Sequence, residues 1–111
     1  MAYRHYAPKA PVTVVSGDPE ASAAFIEAHL TDSAGVICFH EFMDRFAAHA
    51  VHDLGHMADK AEQARQVFDA LRTFDNTNVS EIWAQCPDSS GLGLAVENRL
   101  KKAAGFHVIE V

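Results

Sequence analysis

Short apolar runs alternate with longer amphipathic segments along almost the whole chain. There are five such runs, at 11–17, 34–40, 48–55, 79–86 and 106–111; four contain several β-branched or aromatic residues, and the weaker run at 48–55 contains only Val51. Such runs, bounded by turn-forming or polar residues, are typical of β-strands. The run AGVICFH at 34–40 is continuously apolar, which predicts a central parallel strand that is buried on both faces.

The segments between the runs carry helical signals. Asp18 precedes Pro19, and an aspartate followed by a proline is typical of an N-cap and the first helical position. The pair predicts a helix over 19–32. Further helices are predicted over 57–74 and 91–105, together with one or two helical turns over 41–47. The face predicted to be buried on the 57–74 helix consists of Ala61, Ala64, Phe68 and Leu71.

This alternation of strands and helices predicts the fold class. Strands separated by helices of crossover length form an α/β three-layer sandwich with a mostly parallel, here five-stranded, sheet. The composition changes only at Pro11, so we predict a linker at 1–11 and one domain at 12–111. With 111 residues, of which 49% are hydrophobic, the chain has the length of one compact domain.

Charge is distributed unevenly between these two parts. The chain has nine Lys and Arg against fifteen Asp and Glu, and a formal net charge of -6. The first eleven residues contain two of the bases and no acid, so the remainder carries a balance of -8. A domain this acidic repels the phosphate backbone of nucleic acids, and we expect residues 12–111 to make no direct contact with nucleic acid.

The cysteines and the hydropathy pattern bear on the cellular compartment. Cys38 and Cys86 both lie beside apolar runs, where we expect buried free thiols of the kind found in reducing compartments. No apolar run approaches the length needed to span a membrane, and no signal-peptide pattern is present. The expectation is a cytoplasmic protein that does not contact a membrane.

Histidines and glycines are the candidate ligand-binding residues of the domain at 12–111. His49, His52 and His56 straddle a predicted strand, where alternation sends neighbouring side chains to opposite faces, so we predict no metal site there. The stretch SSGLGLA at 89–95 contains only a lone G-x-G, and we interpret it as a tight turn before a helix. An alternative hypothesis is a module that binds a small ligand or nucleotide at the strand ends near Gly17, Gly55 and Gly91.

Two motifs resemble a known family. MAYRHYAPKAP at 1–11 is similar to the interdomain linker of long-form Sua5/YrdC proteins, Ser-Pro-Gly-Met-x-Tyr-Arg/Lys-His-Tyr-Ala/Ser-Pro. GLGLAVENRLKKAAG at 91–105 is similar to their signature Gly-Leu-Gly…Asn/Asp-Arg-Leu-x-Lys-Ala-Ala. LG at 54–55 and ALRTFD at 70–75 also correspond. The chain is thus identified as a member of the C-terminal Sua5 domain family of threonylcarbamoyl-AMP synthases.

This resemblance implies a Rossmann-like, non-catalytic and regulatory domain without a metal or cofactor of its own. In the family, an N-terminal YrdC-like domain uses ATP and magnesium to join L-threonine and bicarbonate into L-threonylcarbamoyladenylate. A downstream tRNA threonylcarbamoyl transferase then places the group on tRNA, which is the t6A modification. The expected partner is therefore the YrdC-like domain of the same polypeptide.

The resemblance also implies roles for individual residues. The Ser-Pro-Gly of the linker pattern is missing before Met1, so we expect an excised domain, and Ala2 stands where lysine is frequent. The residues expected to form a lid over the active site of the parent enzyme are Tyr3, Arg4, His5, Tyr6 and Pro8. The residues of the signature helix expected to be structural are Gly91, Gly93, Asn98, Arg99 and Lys102.

Overall fold

The protein contains a five-stranded sheet in which every pair of neighbouring strands is parallel. A computed structural model describes residues 8–87, 92–105 and 107–111. The strands are β1 (Val12–Ser16), β2 (Ala34–Cys38), β3 (Ala50–Asp53), β4 (Glu81–Gln85) and β5 (Val108–Glu110), in the spatial order β3-β2-β4-β1-β5. The predicted α/β sandwich is confirmed, and the sheet is wholly parallel rather than mostly so.

Helices cover both faces of the sheet. They are α1 (Pro19–His29), α2 (Lys60–Arg72) and α3 (Leu92–Ala103), with a 3-10 helix at His40–Phe46 between β2 and β3. Right-handed crossovers in this strand order carry α1 and the 3-10 helix to one face, and α2 and α3 to the other. The observed contacts agree, since α1 packs on the 3-10 helix and α2 packs on α3.

Local sequence explains where the helices begin and end. The Asp18 carboxylate accepts a hydrogen bond from the Ala21 amide at 3.0 Å, and Pro19 follows it, so the predicted N-cap is confirmed. After α3, Gly105 adopts a φ of +61°, and its amide donates to the Lys102 carbonyl at 3.1 Å. This left-handed conformation is the usual way in which glycine ends a helix.

The prediction for α2 is wrong in its start and in half of its buried face. Leu71 is buried and Ala64 packs against the core, as predicted. The helix begins at Lys60, after the Asp59 side chain caps the Glu62 amide at 3.0 Å, and not at residue 57. Ala61 and Phe68 are exposed. The buried side chains of the helix are Gln63, Val67, Ala70 and Leu71. The hydrophobic pattern misplaced this face because a fully buried position is occupied by a polar glutamine.

The core lies between the sheet and the two helical layers. All five residues of β2 are buried, as its continuous apolar run predicts. The largest fully buried apolar side chains come from all parts of the fold and include Ile26, Ile37, Phe46, Leu54, Ile82 and Leu100. In the part of the chain that the structure describes, no helix combines the length and apolarity needed to cross a membrane.

Residues 8–11, which directly precede β1, are attached to the rest of the domain. The Lys9 amide donates to the Asp75 carboxylate at 3.3 Å, and the Pro11 carbonyl accepts from the Ile82 amide at 2.9 Å. Ala10 packs against the core, and Pro8 is half-buried. Residues 8–11 therefore lie at the amino end of the sheet, beside the start of β4.

Candidate functional site at the carboxyl edge of the sheet

The carboxyl ends of β2 and β3 border an open crevice of about 490 Å³. The connection after β2 lies on the α1 face and the connection after β3 lies on the α2 face, which is the arrangement that opens a crevice between neighbouring parallel strands. Three histidines and three acids are prominent in its lining: His40, His52, His56, Asp53, Asp59 and Glu62. We call this feature the histidine crevice.

An imidazole–carboxylate pair lies at its centre. His40 Nδ1 is 2.6 Å from Asp53 Oδ2, and the Gly55 amide donates to Asp53 Oδ1 at 2.7 Å. The hydrogen bond and the charge of Asp53 raise the pKa of His40. Burial alone raises the pKa of Asp53, but the hydrogen bonds from His40 and Gly55 outweigh it and hold that pKa below its ordinary value.

The other histidines do not converge on a metal site. The His56 ring lies 4.3 Å from that of His40, centroid to centroid, whereas His52 Nε2 is 3.2 Å from Gln66 Oε1. His49 lies at the opposite end of β3, in a depression beside Ser33 and Asn78. Within residues 8–87, 92–105 and 107–111, no group of three or more His, Cys, Asp or Glu side chains is arranged to hold a metal ion.

Two helix N-termini at this edge are already occupied by acids. Asp18 caps α1 and Asp59 caps α2, so each carboxylate accepts from a helix amide and lies at the positive dipole end that would attract a phosphate. The predicted turn at 89–95 falls partly within 88–91, outside the described residues. The described part of the edge is therefore poorly suited to binding phosphate.

A smaller cavity of about 110 Å³ lies at the ends of the central strands, lined in part by Gly17, Phe39, Met57 and Cys86. Cys86 is 4% exposed, and Cys38 is fully buried. Burial is the main reason why the pKa of each thiol is raised to about 12. Thiols in this state are poor nucleophiles, so the predicted buried, unpaired cysteines are confirmed and neither has the setting of a catalytic residue.

Of the residues that the resemblance singles out, those in the described part of the chain do not line the histidine crevice: Pro8, Gly93, Asn98, Arg99 and Lys102. Tyr3, Arg4, His5 and Tyr6 lie outside the described residues, as does Gly91. On α3, Gly93 is buried near the start of the helix, whereas Asn98 and Lys102 are exposed.

Arg99 has a clear structural contact. Its guanidinium lies 4.6 Å from the centroid of the Phe68 ring, within the range of a cation–π interaction, and so links α3 to α2.

The pairing of His40 with Asp53 at the centre of the histidine crevice was not predicted from the sequence. His40 and Asp53 are thirteen positions apart, but the parallel register places Cys38 opposite Asp53 and brings the two side chains together. The available signal was positional, because polar residues that follow adjacent parallel strands meet at one edge of the sheet. Using that signal required knowing that β2 and β3 are neighbours.

Comparison with known proteins places these features in a family. A sequence model described as the threonylcarbamoyl-AMP synthase C-terminal domain matches residues 1–105. The chain is 38% identical to a threonylcarbamoyl-AMP synthase of Bacillus subtilis, over 98% of this chain and 32% of that protein. It thus spans about a third of the length of its curated relatives.

Solved structures give the same result. A crystal structure of Pyrococcus abyssi Sua5 complexed with L-threonine matches all of this chain and 33% of its own, with 39% identity and a TM-score of 0.69. The crystal structure of the C-terminal Sua5 domain of a hypothetical Sua5 protein from Pyrococcus horikoshii matches over 95% of this chain and 100% of its own. That match has 30% identity and a TM-score of 0.71. The chain therefore belongs to the family of threonylcarbamoyl-AMP synthase C-terminal domains.

Proposed function

We propose that this chain supports, rather than performs, catalysis in a threonylcarbamoyl-AMP synthase. The observation that carries the proposal is coverage, because the chain matches the whole of a solved C-terminal Sua5 domain but only about a third of the longer relatives. In this proposal an N-terminal YrdC-like domain holds ATP and magnesium and makes threonylcarbamoyladenylate from L-threonine and bicarbonate. A tRNA threonylcarbamoyl transferase then consumes the product.

The chemistry of the carboxyl edge supports a non-catalytic role. Acids cap the N-termini of α1 and α2, and both cysteines are buried with pKa values raised to about 12. ATP carries several negative charges, which the carboxylates of the histidine crevice would repel. The L-threonine complex of the Pyrococcus abyssi relative is consistent with threonine as a substrate of the whole protein.

We further propose that residues 1–11 are an interdomain linker and that 12–111 form the domain. The contacts of Lys9 and Pro11 would hold the end of the linker on the body, so that the preceding segment leaves from a defined point. Arginine binds phosphate and carboxylate in a bidentate manner, and tyrosine provides a rigid amphipathic surface. The proposed lid over the catalytic pocket consists of Tyr3, Arg4, His5, Tyr6 and Pro8.

Calorimetric titration of the 111-residue chain with ATP, AMP and L-threonine tests the supporting role. We expect no measurable heat of binding for any of them at millimolar ligand. The second candidate function, a ligand-binding module, is favoured by the position and volume of the histidine crevice. Saturable binding of a nucleotide or of threonine, lost when Asp53 or His40 is replaced, would support that candidate and contradict ours.

The lid proposal is tested in the full-length enzyme. We expect Tyr3→Ala and Arg4→Ala each to lower the rate of threonylcarbamoyladenylate formation without changing the thermal unfolding temperature. Arg72→Ala is the matched control, because Arg72 is an exposed arginine at the end of α2 that pairs only with Asp69 among the described residues. Wild-type rates for both linker variants would refute the lid.

A further inference from the structure

The loops that follow β2 and β3 are joined by hydrogen bonds beyond the ends of the strands. The Leu54 amide donates to the Cys38 carbonyl at 2.8 Å, and the His40 amide donates to the Gly55 carbonyl at 2.8 Å. The Asp53 carboxylate completes the junction, with one oxygen on the His40 ring and the other on the Gly55 amide. One carboxylate thus bridges two loops that are distant in sequence.

We propose that His40, Asp53 and the Gly55 turn form a proton-dependent clamp that holds these two loops together at the carboxyl edge. The backbone bonds of the junction do not titrate near neutral pH, but the His40–Asp53 contact is an ion pair only when the imidazole is protonated. Protonation therefore changes the strength of the junction without requiring any other change in the fold. This inference is independent of the proposed supporting role.

The charges around His40 favour its protonated form. Carboxylates face it from the 3-10 helix, from β3 and from the start of α2, and the His56 ring lies beside it at an interplanar angle of 35°. Arg65 partly offsets this acidity, because it pairs with Glu62 at 2.7 Å. The groups concerned are Glu41, Asp44, Asp53, His56, Asp59, Glu62 and Arg65.

The direction of each pKa shift defines the pH range of the clamp. The pKa of His40 is raised by Asp53, so the contribution of His40 is complete below the ordinary imidazole value of about 6.5. It is lost as the pH rises through the raised pKa. The pKa of Asp53 is lowered, so its contribution is lost only as the pH falls through that lowered value, in acid.

The clamp lies next to residues 56 and 57, which form hydrogen bonds with α2. Residues 56 and 57 supply the two carbonyls that accept from Gln63 Nε2, at 2.8 and 3.1 Å. The Met57 amide in turn donates to the Glu41 carboxylate at 3.0 Å, which connects the same segment to the 3-10 helix. Release of the clamp is therefore expected to loosen residues 54–58 and to leave the central strands unchanged.

Nuclear magnetic resonance of the 111-residue chain tests the clamp. We expect the His40 ring to titrate with a midpoint above 6.5, and Asp53→Asn to lower that midpoint. The hydrogen-exchange protection factor of the Gly55 amide, corrected for intrinsic exchange, should fall about twofold to fivefold between pH 6 and pH 9, the size of effect typical of an exposed ion pair. In His40→Gln this pH dependence should disappear.

His107→Gln is the matched control. His107 lies near a different strand, and its ring is 3.2 Å from the Thr13 hydroxyl rather than from a carboxylate. We expect it to leave both the His40 midpoint and the Gly55 pH dependence unchanged. A wild-type His40 midpoint at or below 6.5 overturns the proposal whether or not the variants fold. Equal pH dependence of Gly55 protection in wild type and His40→Gln also overturns it.

Discussion

Two glutamines, one on each face of the sheet, are buried to the same extent but bonded differently. Gln85, at the end of β4, accepts from the Phe39 amide at 2.9 Å and donates to the Pro19 carbonyl and the Ser22 hydroxyl at 3.0 and 3.1 Å. Gln63, on α2, donates to two carbonyls of the preceding loop, and its Oε1 has no partner within the described residues.

This difference shows that equal burial does not imply an equal contribution to stability. Gln85 satisfies both ends of its amide and joins β2 to the start of α1 through β4. Gln63 satisfies only its nitrogen and fixes one loop, while its unpaired oxygen carries a desolvation cost. Replacing each side chain by methionine, which has a similar volume, should therefore have unequal effects.

The largest effect is expected for Gln85→Met. The substitution leaves the buried Phe39 amide without its acceptor and removes two further bonds, so the free energy of unfolding should fall by about 3 kcal/mol. Urea unfolding, followed by the fluorescence of the single tryptophan, Trp83, measures this change. A loss below about 1 kcal/mol would show that the comparison of the two glutamines is mistaken.

A smaller effect is expected for Gln63→Met. Two carbonyls lose a donor, but the unpaired oxygen is removed as well, so we expect a loss of about 1 kcal/mol in the same urea assay. The Gly55 and Leu54 amides should also exchange faster, because the loop at 56–57 is no longer held by α2. An equal loss of stability in the two variants would contradict the proposed difference.

The smallest effect is expected for Ser22→Ala. The Ser22 hydroxyl is buried and donates to the Pro19 carbonyl at 2.9 Å, but Gln85 keeps its bonds to Phe39 and Pro19 when the hydroxyl is removed. We expect a loss of about 0.5 to 1 kcal/mol. Combined with Gln85→Met, the losses should be less than additive, and strict additivity in a double-mutant cycle would argue against a shared network.

These polar contacts mark the limit of prediction from the hydrophobic pattern. The run at 34–40 predicted a buried central strand, and Asp18 with Pro19 predicted the start of α1, because both signals are local. The same pattern assigned Phe68 to the core of α2 and overlooked Gln63. Phe68 is instead 42% exposed beneath Arg99, since α3 supplies a cation for its ring. The hydrophobic periodicity of α2 cannot indicate a contact with α3, because α3 is distant in the sequence.

The candidate site was less predictable than the fold. Gly17 and Gly55, which mark predicted strand ends in the sequence, both line cavities at the carboxyl edge. Strand alternation predicted that His49 and His52 point apart, and the structure places His49 at the opposite end of β3 from the histidine crevice that His52 and His56 line. Only the adjacency of β2 and β3 brings His40 to Asp53.

The amino-acid sequence by itself determined the elements, the α/β class and the family of this protein. The elements and the class follow from local propensity, from caps and from the order of the apolar runs. The family follows from the resemblance of two short motifs, at 1–11 and 91–105. Tertiary structure decided the strand order, the face that α2 buries and the partners of the buried glutamines and of His40. These depend on contacts between residues far apart in the chain, because the free energy of a buried polar group is set by the partners that the whole fold brings to it.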